Sequence, residues 1–220
     1  MKTFYFVRHG STEFNEKGVF QFAETPLSNT GEHQAQELAH RFENIHVEAI
    51  ISSDMTRAVQ TATAIAEKVG TPVEQSALFH EHLRPSVIRG LSYVDAKAQD
   101  VIEILRGLWT HPTERHQDEE NFHDLKARAL QAIEFLERRP ESSIVVVSHG
   151  TFLKMLLCTM SARESVTPEL FRAIDRVFFT SNTGITKAEY ETKRWKIVTW
   201  NDRAHLGCTG PRVFMEASPN

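Results

Sequence analysis

Short apolar runs alternate with stretches of helical spacing along most of this chain, and this alternation limits the folds open to it. Strands separated by helices form mostly parallel sheets with helices packed on both faces. The runs that we interpret as strands are FYFV (4–7), EAIIS (48–52), PVEQS (72–76) and SIVVVSHG (143–150). The sequence therefore predicts an α/β fold, a three-layer α/β/α sandwich around a mostly parallel central sheet.

Between and after these strands, apolar residues recur at helical spacing. The predicted helices cover residues 32–42, 53–70, 95–109, 122–138 and 152–160. Ser28, Asn29 or Thr30 can cap the first of these helices. The segments GITKAEY (184–190) and WKIVTW (195–200) alternate in polarity and are joined by a short polar link, which predicts a hairpin. This hairpin would give the sheet an antiparallel edge.

Composition and charge exclude several classes of protein. With 220 residues, 40% of them hydrophobic, the chain suits one globular domain over residues 1–220, and we find no linker that would divide it. No apolar run approaches the roughly 20 residues of a membrane-spanning helix, and the N-terminus does not resemble a secretory signal. The net charge of −4 gives no basic surface for nucleic acid. Cys158 and Cys208 form neither a disulfide framework nor a zinc motif, so we expect a cytoplasmic protein.

Two of the predicted strands end in a histidine followed by a glycine. Arg8, His9 and Gly10 follow the first apolar run, and His149 and Gly150 follow the run IVVVS. In open α/β sheets, ligands bind beyond the carboxyl ends of the strands. If these two strands are neighbours, their histidines meet at one edge of the sheet.

These residue types suit the transfer of a phosphoryl group. A neutral imidazole can attack phosphorus and form a phosphohistidine, and His9 is our candidate for this nucleophile. Phosphoryl oxygens carry charge through the transition state and require fixed cations. Arg8 is adjacent to His9, and Arg57 lies in the first turn of a predicted helix, whose positive end also attracts an anion. We expect Gly10 and Gly150 to let the backbone come close to the ligand.

The motifs together resemble the histidine phosphatase superfamily, also called phosphoglycerate mutase-like. The matching segments run in the order of the family from residue 4 to about residue 186, and they are VRHGSTEFN, PLSNTG, SSDMTRAVQTA, LFHE and VSHG. The resemblance implies that His9 is the phosphorylated nucleophile and that Glu81 is the proton donor. It implies no metal and no organic cofactor. The residues that it assigns to holding the phosphate are Arg8, Arg57 and His149.

The same resemblance implies further contacts with the substrate. Asn15 matches an asparagine that contacts the phosphate, and Gln21 matches a further polar contact. The segment NTGIT resembles a loop that closes over the site, which would make Asn182 and Thr183 substrate-binding residues. A helical segment from 83 to about 125 corresponds to the part that covers the substrate and varies within the family.

Several titratable residues leave alternatives open. Glu13, close to His9 in sequence, is our second candidate for the proton donor. Arg84 and Arg89, in the segment 83–125, either meet an acidic substrate or are solvated. The remaining histidines lack the spacing of a metal motif, so we expect no metal site among His80, His82, His111, His116 and His123.

We expect a phosphomonoester hydrolase that acts through a phosphohistidine on a small phosphorylated metabolite. A phosphoglycerate mutase is the nearest alternative, but mutases of the family carry a Tyr-Gly-Gly-rich stretch where this chain has HLRPSVIRG. A phosphate-binding module without catalysis is a third reading. The expected partner is a small-molecule phosphate ester, not nucleic acid or a membrane. The tail over 205–220 is either mobile or packed on a neighbour, as in a homodimer.

Overall fold

The computed structural model describes residues 1–207, and its centre is a sheet of six strands. The strands are β1 (Lys2–Arg8), β2 (Ala49–Ser52), β3 (Val73–Gln75), β4 (Ser143–Ser148), β5 (Ile185–Glu191) and β6 (Arg194–Asp202). Their order across the sheet is β3-β2-β4-β1-β5-β6. The pairs among β1, β2, β3 and β4 are parallel, whereas β5 pairs antiparallel with both β1 and β6. This confirms the predicted mostly parallel sheet with an antiparallel edge.

Helices account for most of the remaining described chain. The α-helices are α1 (Glu13–Lys17), α2 (Asn29–Phe42), α3 (Thr56–Val69), α4 (Ala96–Leu108), α5 (Phe122–Arg138), α6 (Gly150–Ala162) and α7 (Pro168–Val177). Short 3-10 turns occur at Ala77–Phe79, Ser86–Ile88, Arg163–Ser165 and Ala204–Leu206. The five helices predicted from periodicity correspond to α2 through α6, with differences only at their ends. Ser28 is the residue that caps α2, where its side chain accepts a hydrogen bond from the Gly31 N–H.

Two apolar layers hold these helices against the sheet. Successive residues of a strand point to opposite faces, and β4 shows why its apolar run is unbroken. Ile144 and Val146 lie in a core with residues of α5 and α6. Val145 and Val147 lie in the opposite core, with residues of α2 and α3. Both faces are covered, which confirms the predicted three-layer arrangement and makes β4 a central strand.

The stretch between β1 and α2 contains a short helix, α1, which is not among the helices predicted from periodicity. The Thr12 side chain accepts a hydrogen bond from the Asn15 N–H, and the Asn15 side chain accepts one from the Thr12 N–H. Gly18, at a φ of 63°, ends the helix in the left-handed conformation. The capping box is closed by asparagine instead of the usual Glu or Gln, which is why the motif was missed.

The segment 83–125, which we call the cover segment, packs around a small core of its own. This core joins Phe20 to Ile88 and to the α4 residues Val101 and Ile102. A bridge between Val19 and Ser92 ties the segment to the loop after α1. Its role in covering a substrate stays a prediction.

Two predictions concern residues outside the described range, namely Cys208 and the greater part of the tail over 205–220. Within residues 1–207, the structure contains no helix with the length and apolar character needed to cross a membrane.

Candidate active site

A cavity of about 250 Å³ opens beyond the carboxyl ends of the parallel strands. It is lined by Arg8, His9, Phe20, Gln21, Phe22, Ala23, Met55, Arg57, His80, Glu81, His82, Leu83, Arg84, Arg89, Tyr93 and Thr151. We call the part formed by Arg8, His9, Arg57 and Glu81 the histidine end. The part formed by Leu83, Arg84, Arg89 and Tyr93, which belongs to the cover segment, is the cover end.

The sheet register brings His9 and His149 together. β1 and β4 are parallel neighbours with Arg8 opposite Ser148, so each histidine follows its strand at the same level. The His9 N–H donates to the Ser148 carbonyl at 3.0 Å and continues the ladder. The centroids of the two imidazole rings are 5.0 Å apart. The expectation that the two histidines meet is therefore confirmed.

His9 is held as a neutral ring whose Nε2 carries a lone pair. Its Nδ1 lies 2.7 Å from the Gly10 carbonyl oxygen, which can only accept, so Nδ1 carries the proton. Burial, followed by the charges of Arg57 and Arg8, lowers the pKa of His9 well below 6.5. The Arg57 Nε–H points at Nε2 from 3.3 Å. Nε2 is therefore unprotonated at neutral pH and lies beside a cation, as a nucleophile toward an anionic phosphate requires.

The charges of two guanidinium groups act on this ring, and the protein holds both of them. Arg57, in the first turn of α3, donates to the Phe22 carbonyl at 3.0 Å. Burial lowers the pKa of Arg57 to about 10, so the group stays charged at neutral pH. Arg8 donates to the Thr180 carbonyl at 2.7 Å. Their side chains are fixed before any ligand arrives, which lowers the cost of binding an anion.

His149 is fixed by a residue that the sequence analysis missed. Its Nε2 lies 2.9 Å from the Ser53 Oγ, and Ser53 in turn accepts a hydrogen bond from the Met55 N–H. The Nδ1 of His149 is buried and has no hydrogen-bond partner among residues 1–207. Burial lowers the pKa of His149 well below 6.5, and the positive charge of Arg57 acts in the same direction. The ring is thus a neutral, fully buried group next to His9, and it is not among the residues that line the cavity.

Glu81 lies at the amino end of α6 and lines the cavity. One carboxylate oxygen accepts from the N–H groups of His82 and Phe152 at 2.8 and 3.0 Å, and the other accepts from the Thr151 N–H at 3.2 Å. Glu13 lies elsewhere: its exposed carboxylate pairs with Lys17 at 2.7 Å on the outside of α1. Of the two candidate proton donors, the structure places only Glu81 at the cavity.

The backbone that carries Glu81 is clamped by an ion pair absent from our sequence predictions. Arg128 on α5 and Glu120 form two hydrogen bonds of 2.7 and 2.6 Å. Glu120 also accepts from the Leu83 N–H at 3.1 Å. The Arg128 guanidinium donates, at 3.1, 2.9 and 3.3 Å, to the carbonyl oxygens of Leu78, His80 and Glu81. This Arg128–Glu120 clamp fixes both sides of the turn that presents the carboxylate.

The remaining predicted contacts occupy different places. Gln21 lines the cavity, and its amide oxygen accepts from the Thr12 hydroxyl at 2.9 Å. Asn15 is buried, and its amide nitrogen has no hydrogen-bond partner among the described residues. Asn182 donates to the His9 carbonyl at 2.9 Å, and the Thr183 N–H donates to the Arg8 carbonyl at 2.9 Å. In the structure these last two residues brace the end of β1, and their contact with a substrate stays a prediction.

The two glycines are closely packed by other parts of the protein, and their approach to a ligand stays a prediction. A Cβ at Gly10 would lie 2.6 Å from the Gly31 carbonyl oxygen, because α2 begins directly against this backbone. A Cβ at Gly150 would lie 3.0 Å from the Thr180 hydroxyl and 3.6 Å from the Arg8 Nε. Other atoms of the protein occupy the space next to each glycine, so the absence of a side chain allows close packing around the site.

In this α/β protein, the carboxyl ends of two neighbouring central strands and the start of α3 bring two histidines and two arginines together. Residues 4–203 match the family model described as histidine phosphatase superfamily (branch 1). The chain belongs to this superfamily, as the motifs in its sequence had indicated. Within residues 1–207 no group of three or more His, Cys, Asp or Glu side chains is placed to hold a metal ion.

Curated relatives and solved structures agree with this assignment. The chain is 29% identical over 211 residues to a probable phosphoglycerate mutase, GpmB, of Enterobacter sp. (strain 638), covering 92% of this chain and 94% of the relative. The fold is shared with a phosphoserine phosphatase from Entamoeba histolytica, at a TM-score of 0.76 and 22% identity over 94% of this chain and all of that one. It is also shared with a putative α-ribazole-5'-P phosphatase from Escherichia coli, at a TM-score of 0.77 and 20% identity over 92% and 98% of the two chains.

Proposed function

We propose that this protein is a phosphomonoester hydrolase that acts on a small phosphorylated metabolite through a phosphohistidine at His9. The observation that carries the proposal is the state of His9, a buried neutral ring whose unprotonated Nε2 faces the cavity's guanidinium groups. The volume of about 250 Å³ suits a small ester and excludes a folded protein as the group that enters it.

In the first step, the lone pair of His9 Nε2 attacks phosphorus in line with the leaving oxygen. The P–N bond forms as the P–O bond to the alcohol breaks, and Glu81 gives its proton to the departing oxygen. Arg8 and Arg57 offset the charge on the phosphoryl oxygens, and the buried Nδ1 of His149 supplies a further polar contact.

In the second step, water attacks the phosphohistidine from the side that the alcohol has left. Glu81, now a carboxylate, takes the proton of this water, the P–N bond breaks and inorganic phosphate leaves. His9 returns to its neutral form. The three N–H groups around Glu81 hold the carboxylate in position between the two steps.

A phosphoglycerate mutase is the second candidate, and the names of the curated relatives favour it. A mutase would use the same phosphohistidine but return the phosphoryl group to a bound glycerate instead of to water. At 29% identity the relative's activity does not carry over by itself. The stretch HLRPSVIRG, in place of a Tyr-Gly-Gly-rich one, supports hydrolysis.

The test is phosphate release from a panel of small phosphomonoesters by the native protein and by His9→Ala, with and without a chelator. We expect metal-independent release that falls at least about a thousandfold in His9→Ala. Quenching during turnover and intact-mass measurement should show a phosphorylated form of the native protein only. Release that persists in His9→Ala, or that depends on the metal, would contradict the mechanism. Phosphoglycerate interconversion without net phosphate release would favour the mutase.

A further inference from the structure

The cover end contains two arginines whose surroundings differ. Arg89 is held by the protein: it donates to the Arg84 carbonyl at 3.0 and 3.3 Å and pairs with Asp118 at 3.3 Å. The Arg84 side chain forms no hydrogen bond or ion pair with any residue from 1 to 207, although it is half-buried and lines the cavity. Arg89 is therefore held by hydrogen bonds and an ion pair, whereas the Arg84 side chain is not.

An unpaired charge in such a place has a cost that the fold must offset elsewhere. Burial lowers the pKa of the Arg84 guanidinium, and the nearby charge of Glu81 opposes that shift. Glu81 itself already accepts three backbone N–H groups and makes no hydrogen bond with Arg84. A guanidinium stays protonated at neutral pH, so Arg84 places at the cavity a positive charge to which no carboxylate is hydrogen-bonded.

The size of the cavity places this charge within reach of the same ligand. A volume of about 250 Å³ holds one small molecule, and the histidine end accounts for a single phosphoryl group. Arg84 follows Glu81 by three residues and lines the same cavity as His9, so the remainder of the ester can extend toward it. Phe20 and Phe22 line the space as well, and neither can neutralise a cation.

We propose that Arg84 binds a second anionic group of the substrate, a carboxylate or a second phosphate, and thereby selects esters that carry one. This rests on the proposed function, because it assumes that the phosphoryl group of the ester lies at His9. The planar guanidinium suits both anions, since each can accept two parallel hydrogen bonds from it. Arg84 is thus a specificity-determining residue, whereas Arg89 braces the backbone behind it.

The test compares two esters of nearly equal size, carboxymethyl phosphate and ethyl phosphate, which differ in the carboxylate. We expect the native protein to favour carboxymethyl phosphate in kcat/KM by roughly tenfold to a hundredfold. Calorimetric titration of His9→Ala with each ester measures the same preference as a difference in binding affinity, because this variant does not turn the ester over. If the proposed hydrolysis is wrong, only the kinetic assay fails, and the difference in affinity remains. If the proposed selectivity is wrong, neither assay shows a preference.

Arg84→Met should abolish the preference, because it should lower kcat/KM for carboxymethyl phosphate far more than for ethyl phosphate. Arg84→Lys should keep part of it, because the charge stays while the planar pair of donors is lost. Arg106→Met is the matched control: it removes an equal charge from an exposed site on α4, where Arg106 pairs with Glu103, and should keep the full preference. Thermal melting verifies that each variant is folded.

A second pair, propane-1,3-diyl bisphosphate and propyl phosphate, distinguishes the two kinds of anion. A larger preference in this pair than in the first would identify a second phosphate as the selected group, and a smaller one would identify a carboxylate. The absence of a preference in both pairs would overturn the proposal. An equal loss for charged and uncharged esters in Arg84→Met would also overturn it, because Arg84 would then act through Glu81.

Discussion

The histidine end and the cover end of the cavity hold their charges in opposite ways. At the histidine end Arg8 and Arg57 are only 4% and 3% exposed, and backbone carbonyl oxygens fix both guanidinium groups. His9, between them, is 2% exposed and neutral. At the cover end Arg84 is more accessible, and its side chain forms no hydrogen bond or ion pair with residues 1–207.

The difference follows from the part of the fold that carries each end of the cavity. Three residues of the histidine end lie on β1, directly after it, or in the first turn of α3, namely Arg8, His9 and Arg57. Both of these elements contribute to the main cores of the protein. The cover end belongs to a segment with a small core around Phe20 and Ile88. Substitutions at the histidine end should therefore change the rate of the chemical step, whereas those at the cover end should change the choice of ester.

The largest expected effect concerns the proton donor, and it compares Glu81→Gln with Glu13→Gln. With ethyl phosphate, whose leaving alkoxide needs a proton, Glu81→Gln should lower kcat by about 10²- to 10⁴-fold. With p-nitrophenyl phosphate, whose leaving group departs as an anion, the first step should be affected far less. Glu13→Gln should leave both rates unchanged, because that exposed carboxylate only pairs with Lys17.

The measurement is the initial rate of phosphate release for both esters under saturating conditions, with single-turnover mixing to separate the two steps. If Glu13→Gln showed the selective loss with ethyl phosphate, the roles of the two glutamates would be reversed. If Glu81→Gln slowed phosphorylation by both esters equally, Glu81 would act by position or charge instead of by proton transfer.

The next effect concerns the Arg128–Glu120 clamp, which connects the cover segment to the histidine end. Arg128→Met leaves the Glu120 carboxylate largely buried without its partner, and should lower the free energy of unfolding by about 3 kcal/mol. It should also lower kcat by about tenfold, because the turn that presents Glu81 loses three hydrogen bonds. Urea unfolding and steady-state kinetics measure the two effects separately.

The double variant Arg128→Met with Glu120→Gln decides whether the clamp positions Glu81 or only stabilises the fold. Removing the orphaned charge should recover much of the stability, but kcat should stay low. Recovery of kcat together with stability would show that the clamp has no positioning role. Arg138→Met is the control on the same helix, since Arg138 pairs with Glu134 in an exposed position and should change neither quantity.

The clamp also shows what sequence reasoning could and could not supply. The apolar runs predicted β1 and β4, and because each is followed directly by a His-Gly pair, the meeting of His9 with His149 followed once the strands were neighbours. Helical periodicity likewise predicted α5 and its buried face. It could not reveal that Arg128 contacts a carbonyl 47 residues away, because spacing along one helix carries no information about a polar partner on another segment.

The smallest effect concerns His82, the buried histidine behind the cover end. Its Nε2–H donates to the Glu120 carbonyl at 2.9 Å, and burial lowers its pKa well below 6.5, with the charge of Arg84 acting in the same direction. In the unfolded chain this histidine takes up a proton below about pH 6.5, whereas in the folded protein it does not. Unfolding therefore binds a proton in this range, and stability falls as the pH decreases.

His82→Gln should remove this proton uptake. The free energy of unfolding should then fall less steeply on acidification, by about 1.4 kcal/mol per pH unit. Urea unfolding at intervals from pH 7.5 to pH 5 measures this slope. His33→Gln is the control, because that side chain is exposed on α2 in the folded protein, much as it is when unfolded. Equal slopes for His82→Gln and the native protein would mean that His82 becomes charged in the folded state. The cover end would then accept a buried positive charge beside Arg84, and the contrast with the histidine end, where His9 and His149 stay neutral, would be sharper than the structure indicates.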